Sequence, residues 1–363
     1  DYVRIFDTRE QVIPLSEVMA VFRHPEAKVT LEDGSKVDYI VSRKFSIPVN
    51  KENVIKYGIL SEKFADEIPD EIVLTIPEDK NFISKPELFL LDILDGYQWD
   101  RPINMLSQGG DLNIGQKDYL MYEGLSHKFV PIRNSISTKN GIGRADLDRL
   151  IDLVDNTYKF DALSRKDWYV DYQNLYTFLG VVPQRELFVN LAALLIEEGR
   201  NDEALAALDR AQECVPKENF PLESICLGFY QNDVHVIRMI EDYYLLGARD
   251  KGRALAEDYA VELMTSVNFY LEYYAYAKNE LDLCVNCLYY LVDVLKQNGD
   301  KDLGETLMKG LNSMAKLYGA SNADDFEDEE EEEGRETEDE RREWRWDNTR
   351  VTSSSVSGRG MSA

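Results

Sequence analysis

Cysteine and histidine are scarce in this chain, with four Cys and three His among 363 residues. The cysteines are too few to lace a chain of this length with disulfides, and the histidines too few for most metal centres. Cys284-Val-Asn-Cys287 has redox spacing but falls inside a predicted helix, whereas a redox pair opens a helix after a strand. With no second CxxC, and only His24, His127 and His235 to complete a set, zinc is not expected. Cys214, Cys226, Cys284 and Cys287 read as small buried residues. No run of about 18 apolar residues occurs, so no segment is expected to cross a membrane. GxSxG, a phosphate loop and a GxGxxG after a strand are also missing, so no cofactor is expected. Positive charge is outweighed, with 41 Lys and Arg against 68 Asp and Glu and a net charge of −27. That balance argues against nucleic acid and anionic lipid as main partners.

The acid is unevenly spread. Residues 324–343 hold 14 acids and 3 arginines, a net −11; residues 344–363 carry +2, which leaves −18 on residues 1–323. The acidic run has no apolar face to bury and is expected to be an unstructured tail, with a clamp for a basic partner as the sharper alternative. The chain opens on Asp1 with no signal peptide, so it is expected to be a fragment or a mature product.

What is present is most informative at Phe188–Pro216, FVNLAALLIEEGRNDEALAALDRAQECVP. Two short apolar helices flank a Gly199-Arg-Asn-Asp turn. Phe188, Leu191, Ala192, Leu195, Gly199, Ala204, Leu208, Ala211 and Pro216 fall where a tetratricopeptide (TPR) unit has its marked positions, and the run resembles one such unit. Ala192 and Ala204 permit close helix approach, Leu195 and Leu208 fill the seam, and Pro216 stops the second helix. The turn echoes at Gly247–Gly252 and Gly299–Gly304, each with a small residue five after the turn glycine. The spacings exceed the usual repeat, so the echoes read as degenerate units with longer first helices. Such a pair cannot bury its apolar face alone and needs neighbours. Stacked pairs present concave surfaces to proteins or peptides.

Residues 1–135 mix strands and short helices. Residues 15–22 read as a short helix capped by Ser16 and ended by Pro25. Lys28–Ile40 reads as a hairpin turned at Asp33-Gly34. Further strands are expected at 45–48, 72–76, 103–106 and 128–132, and a helix at 86–95 opened by Pro86. Residues 136–145 read as a linker, and Asp146–Tyr158 as an amphipathic helix. The fold class that follows is α+β: a mixed α/β module over 1–135, a TPR-like all-α domain over 146–320, and the tail from 321.

Several groups could be given chemistry. Asp92, Asp95 and Asp100 flank Trp99 and Arg101, and Glu123 lies nearby in sequence; a glycosidase needs two carboxylates on one sugar bond. The plainer reading is a solvated helix edge. Asp146-Leu-Asp148 has the spacing of a metal-binding DxD, but two acids opening a helix answer its dipole. His127 next to Ser126 is not a dyad, since geometry is set by the fold. Phe269, Tyr270, Tyr273, Tyr274 and Tyr276, with Tyr289 and Tyr290 on the next helix, cannot all be buried. Tyr270, Tyr273, Tyr274, Tyr289 and Tyr290 are therefore candidates for a partner groove, where a flat ring with a polar tip suits a peptide or a glycan.

Taken together, Ile13–Ala20 (IPLSEVMA), Lys44–Val49 (KFSIPV), Gln98–Ile103 (QWDRPI), Tyr119–Leu125 (YLMYEGL) with Val130-Pro-Ile132, and Gly143–Asp146 (GRAD) resemble a family. It is the soluble C-terminal region of polytopic membrane proteins of gram-negative bacteria, distantly similar to protein O-mannosyltransferases. The resemblance spans about residues 1–320. It implies a periplasmic location, a membrane link only through helices outside this chain, and transfer chemistry that belongs to those helices. No catalytic residue carries over. The expected role is a non-catalytic accessory or protein-interaction domain whose partner is a protein, a peptide or a glycan. A sugar-active hydrolase using paired carboxylates and a stand-alone TPR adaptor are the alternatives.

Overall fold

A computed structural model describes residues 2–6, 11–106, 112–134, 142–166, 171, 181–228 and 230–317. The chain forms two compact units that meet in sequence at Asp146/Leu147.

The first unit is built from short strands and three helices, α1 (Leu15–Arg23), α2 (Lys51–Lys56) and α3 (Lys85–Asp95). Strand Lys44–Pro48 is central in its sheet. It pairs in parallel with Ile13–Pro14 and antiparallel with Glu71–Thr75, so both its edges are occupied, and with Phe45, Ser46 and Ile47 all buried both its faces are covered as well. The outer strand Glu71–Thr75 instead alternates, with Ile72 and Leu74 facing in, as expected of a strand with one wet face. A second sheet sets Tyr2–Ile5 between Tyr39–Ile40 and Phe82–Ser84. A third sets His127–Phe129 between Leu120–Tyr122 and Asn104–Met105. One apolar core, running from Ile13 to Ile132, serves all three sheets.

Local chemistry explains most boundaries. The hairpin pairs Val29 with Val37 and Thr30 with Lys36. Its turn needs a left-handed residue at one position only: Gly34 has φ 83°, while Asp33 accepts the Ser35 N–H at 2.9 Å. Glu87 fixes the start of α3, accepting the Ser84 N–H at 2.9 Å, the Asn113 N–H at 2.7 Å and the Lys80 ammonium at 2.8 Å. Burial would raise this carboxyl's pKa, but those donors pull it below the ordinary value. Ser16 does not cap α1. The helix begins at Leu15, with Pro14 at the cap position and no side-chain cap. The reason is that Ile13-Pro14 is already paired with the neighbouring strand and feeds straight into the helix.

The second unit opens with α4 (Leu147–Asp152), which finishes as a π-turn over Leu153–Thr157. Among the described residues three helical hairpins follow: α5 (Val181–Glu197) with α6 (Asn201–Cys214), α7 (Tyr230–Leu245) with α8 (Arg249–Glu272), and α9 (Tyr274–Gln297) with α10 (Lys301–Leu317). Each turn holds a glycine in the left-handed region, Gly199 at φ 72°, Gly247 at 76° and Gly299 at 85°. Such residues end a helix without the strain a Cβ would add. Five residues on, Ala204, Gly252 and Gly304 are buried where the hairpin's two helices meet. Within the unit α5 packs on α7, α7 on α9 and α8 on α9, so the hairpins stack in chain order.

The long spacing between the turns has a different origin from the one the sequence suggested. At 16 residues, α7 is no longer than the 17-residue α5. The extra length before Gly247 lies in the connection after α6, which contains a single 3-10 turn at Ile225–Leu227. Only the last interval is long because of helices, α8 and α9 having 24 residues each.

Candidate functional surfaces

The tyrosines proposed for a groove divide between core and surface. Tyr270 is buried, at 5% exposure, and burial pushes its phenol pKa up. Tyr289 and Tyr290 are half-buried on α9. Tyr273 and Tyr274 are exposed at the corner where α8 gives way to α9. The corner forms because the backbone leaves the helix at Tyr273 (φ −109°, ψ 26°) and again at Ala277 (φ −131°, ψ 34°). Periodicity could not show that break, since the apolar pattern runs through it. The most exposed aromatics there are Tyr276 at 92% and Phe269 at 53%, the Phe269 ring 4.8 Å from that of Tyr273. The residues that set the repeat are placed as follows: Phe188, Leu191, Ala192, Leu195, Ala204, Leu208 and Ala211 are buried, Gly199 makes the turn, and the Pro216 carbonyl accepts the Asn219 and Phe220 N–H groups at the head of the connection.

That connection is held by buried side chains that the sequence did not announce. The Arg185 fork donates to the Phe220 carbonyl at 2.8 Å, the Pro221 carbonyl at 3.1 Å and Asn232 Oδ1 at 2.6 Å. Glu262 accepts the Leu222 and Glu223 N–H groups at 2.6 and 2.9 Å. Asp233 accepts Ser224 N–H at 3.0 Å, Ser224 Oγ at 2.8 Å and the Tyr259 hydroxyl at 2.9 Å. Burial and the nearby Glu223 push Asp233 up to about 7. A backbone excursion of this kind needs partners for its polar groups, and these side chains supply them. The available signal was the polar pair Asn232-Asp233 at helical spacing from the apolar Val236, Met239, Ile240 and Tyr243. Cys284 and Cys287 lie buried in α9 and burial pushes both thiols up, while exposed Cys226 is pushed up to about 12. None has the depressed pKa of a reactive thiol. His235, on α7, is driven down to about 3 by burial and by Arg238 and Arg185, so it is neutral at physiological pH.

In the first unit the quoted motifs converge. Tyr119 reaches strand Glu71–Thr75, where its hydroxyl accepts the Val73 N–H at 3.3 Å and donates to the Val73 carbonyl at 3.1 Å. A cleft of about 470 Å³ opens there, walled by Glu67, Ile72, Tyr119, Pro131, Arg133 and Arg144. Arg144 grips Glu67 with both terminal nitrogens, at 2.7 and 2.8 Å, and lies over the Phe64 ring; the hydrogen bond holds Glu67 below the usual carboxylate range. Asn134 positions Arg144, accepting its N–H while donating to the Leu120 carbonyl. Gly143 is required beside it, with φ 83° and the Asn134 side chain 2.8 Å from where a Cβ would stand. Trp99 sits in the core with no exposure and a left-handed φ of 56°. Its indole donates to the Pro48 carbonyl at 2.9 Å and stacks 5.5 Å from Phe129.

Residues 1–149 match the family model of TMEM260-associated domain 2. No curated protein and no solved structure matches the chain. The TMEM260-associated match contains all five motifs and the cleft, to whose wall two of them contribute Tyr119, Pro131, Ile132 and Arg144, and it stops within α4, just past the end of the first unit. Its name ties that region to a membrane protein. Among the described residues no helix is long and apolar enough to cross a membrane.

Within the TMEM260-like region the carboxylates considered for sugar hydrolysis are each engaged. Asp92 and Asp95 share Arg23, at 2.5 and 2.7 Å. Asp100 lies exposed beside Arg101 at 3.5 Å. Glu123 pairs with Lys128 and accepts Asn104 Nδ2 at 2.9 Å. Of the DxD pair, Asp146 holds Lys63 at 2.6 Å, and Asp148, in the second unit, holds Arg200 at 2.9 Å. His127 sits edge-on to the Tyr122 ring at 5.5 Å.

Proposed function

We propose that this chain is a non-catalytic accessory part of a glycosyltransferase-like membrane protein, on the periplasmic side of the membrane, where its helical unit holds a partner or acceptor protein. The match of residues 1–149 to a domain associated with a membrane protein supports the accessory role. The resemblance of the same motifs to O-mannosyltransferase-like membrane proteins supports the link to sugar transfer and the location. The observation that carries the binding role is the aromatic corner at α8–α9, where Phe269, Tyr273, Tyr274 and Tyr276 are 53%, 45%, 40% and 92% exposed. Large aromatics grouped on a surface mark contact sites, because a rigid ring buries much area at small entropic cost.

A photo-crosslinking residue at Tyr276, in the full-length protein in its own cells, tests this. Specific adducts with one protein, absent from a control at exposed Lys316, are expected. Adducts equal at both positions would overturn the binding role. Turnover of chromogenic glycosides that Asp100→Asn abolishes would overturn the non-catalytic one.

A further inference from the structure

Among the described residues the stack of hairpins ends on an uncovered face. Of the 17 residues of α10 only Gly304, Leu311 and Ala315 are buried. Leu303, Leu307, Met308 and Met314 are half-exposed, and Leu317 is 83% exposed. Between α8 and α10 lies a groove of about 530 Å³, walled by Val261, Met264, Leu303, Leu307 and Met314, with Glu257 at its rim. Stacked repeats need a cap on the terminal unit, because each repeat buries its apolar side against the next.

We propose that the cap is the chain's own Trp344-Arg345-Trp346 segment, folded back into this groove. Three observations point to that occupant. The described residues stop at Leu317, three past Met314 in the groove wall, so the tail begins beside the site. About 26 residues separate Leu317 from Trp344, enough chain to span at most about 85 Å. Helix α10 is only about 25 Å long, so the whole groove is within reach. Finally, Trp344 and Trp346 are the only tryptophans beyond residue 168, set in a segment otherwise made of charged and small polar residues. In an extended chain residues i and i+2 share a face, which is the spacing of Trp344 and Trp346. A tether this short gives an effective concentration on the order of millimolar, so even a weak contact is populated.

The test uses the full chain and the double substitution W344A/W346A, which changes no described residue. Hydrogen exchange of amides 301–317 is expected to be at least about threefold faster in the variant, as for a tethered contact populated most of the time. The tryptophan emission lost with the two indoles is expected to lie blue of indole in water. A synthetic peptide of residues 341–348, added to the variant at millimolar concentration, is expected to restore protection. L307E, in the half-exposed wall, should loosen the same amides from the other side. Identical exchange in wild type and W344A/W346A would overturn the proposal. So would protection that rises with protein concentration alongside dimer in sedimentation, which would assign the groove to a second copy.

Discussion

Trp99 offers a test in which the usual order of two substitutions is reversed. Replacing a fully buried Trp with Ala costs about 3–5 kcal/mol in lost burial and cavity. Here it also strands the Pro48 carbonyl, which now accepts the indole N–H at 2.9 Å, for a further 1–3 kcal/mol. Trp99→Gly suffers the same losses and ordinarily fares worse than Ala, because glycine is freer in the unfolded chain. At this position φ is 56°, where an L side chain costs about 1–2 kcal/mol that glycine does not. The strain outweighs the entropy term of about 0.5–1 kcal/mol. The Gly variant should therefore be the more stable of the two by about 0.5–1 kcal/mol. Urea unfolding of the full chain, followed by circular dichroism, measures this as a midpoint about 0.3–0.5 M higher for Gly than for Ala at typical slopes. A midpoint for Ala equal to or above that of Gly would refute the reasoning.

Two further outcomes follow from the helical unit. Asp233 has a folded pKa of about 7 against the ordinary 3.8. Between those values the folded state keeps a proton that the unfolded chain has lost, so its contribution to stability is complete at low pH and is lost as pH rises through 7. Asp233→Asn, which cannot titrate, should compare worst with wild type near pH 4.5 and best near pH 8, the gap closing by on the order of 2–4 kcal/mol; thermal melts giving parallel pH profiles would contradict this. The two buried glycines in the hairpins should respond unequally to alanine. At Gly304 the new Cβ meets Val292 at an ordinary 3.5 Å, whereas at Gly252 it meets the Tyr244 ring at 3.1 Å and Tyr243 Cβ at 3.2 Å. Gly304→Ala should stabilise by up to about 1 kcal/mol through helix propensity, and Gly252→Ala should give less or destabilise, as read from melting temperatures.

The α+β architecture was legible because its signals are local. Alternation at Val29 and Val37 across Asp33-Gly34 needs no tertiary information, nor does Pro86 opening α3, nor a turn glycine followed five residues later by Ala204, Gly252 or Gly304. Ser16 misled because a good capping residue competes with whatever the preceding residues do, and here Ile13-Pro14 was already committed to a strand. The connection after α6 was illegible for a deeper reason. Its stability comes from Arg185, Asp233 and Glu262, which lie on three different helices, and nothing in a run of residues shows that distant polar groups will meet. The same holds for the cleft of the first unit. Its motifs could be read one at a time, but Tyr119 reaching Val73, and Asn134 setting Arg144 against Glu67, are facts of packing. The tyrosines show the limit of periodicity: spacing placed Tyr270 and Tyr273 together, but Tyr270 is buried within α8 and Tyr273 stands exposed where that helix ends.

The hydroxyl of Tyr119 has a protective consequence. Among the described residues strand Glu71–Thr75 pairs with a strand on one side only, and the other side of such a strand invites an incoming chain to continue the sheet. By taking both the N–H and the C=O of Val73, the phenol removes the central rung on which another molecule would start. One oxygen atom closes the middle of this edge, and the backbone at Gly115 lies close against Thr75 at its end.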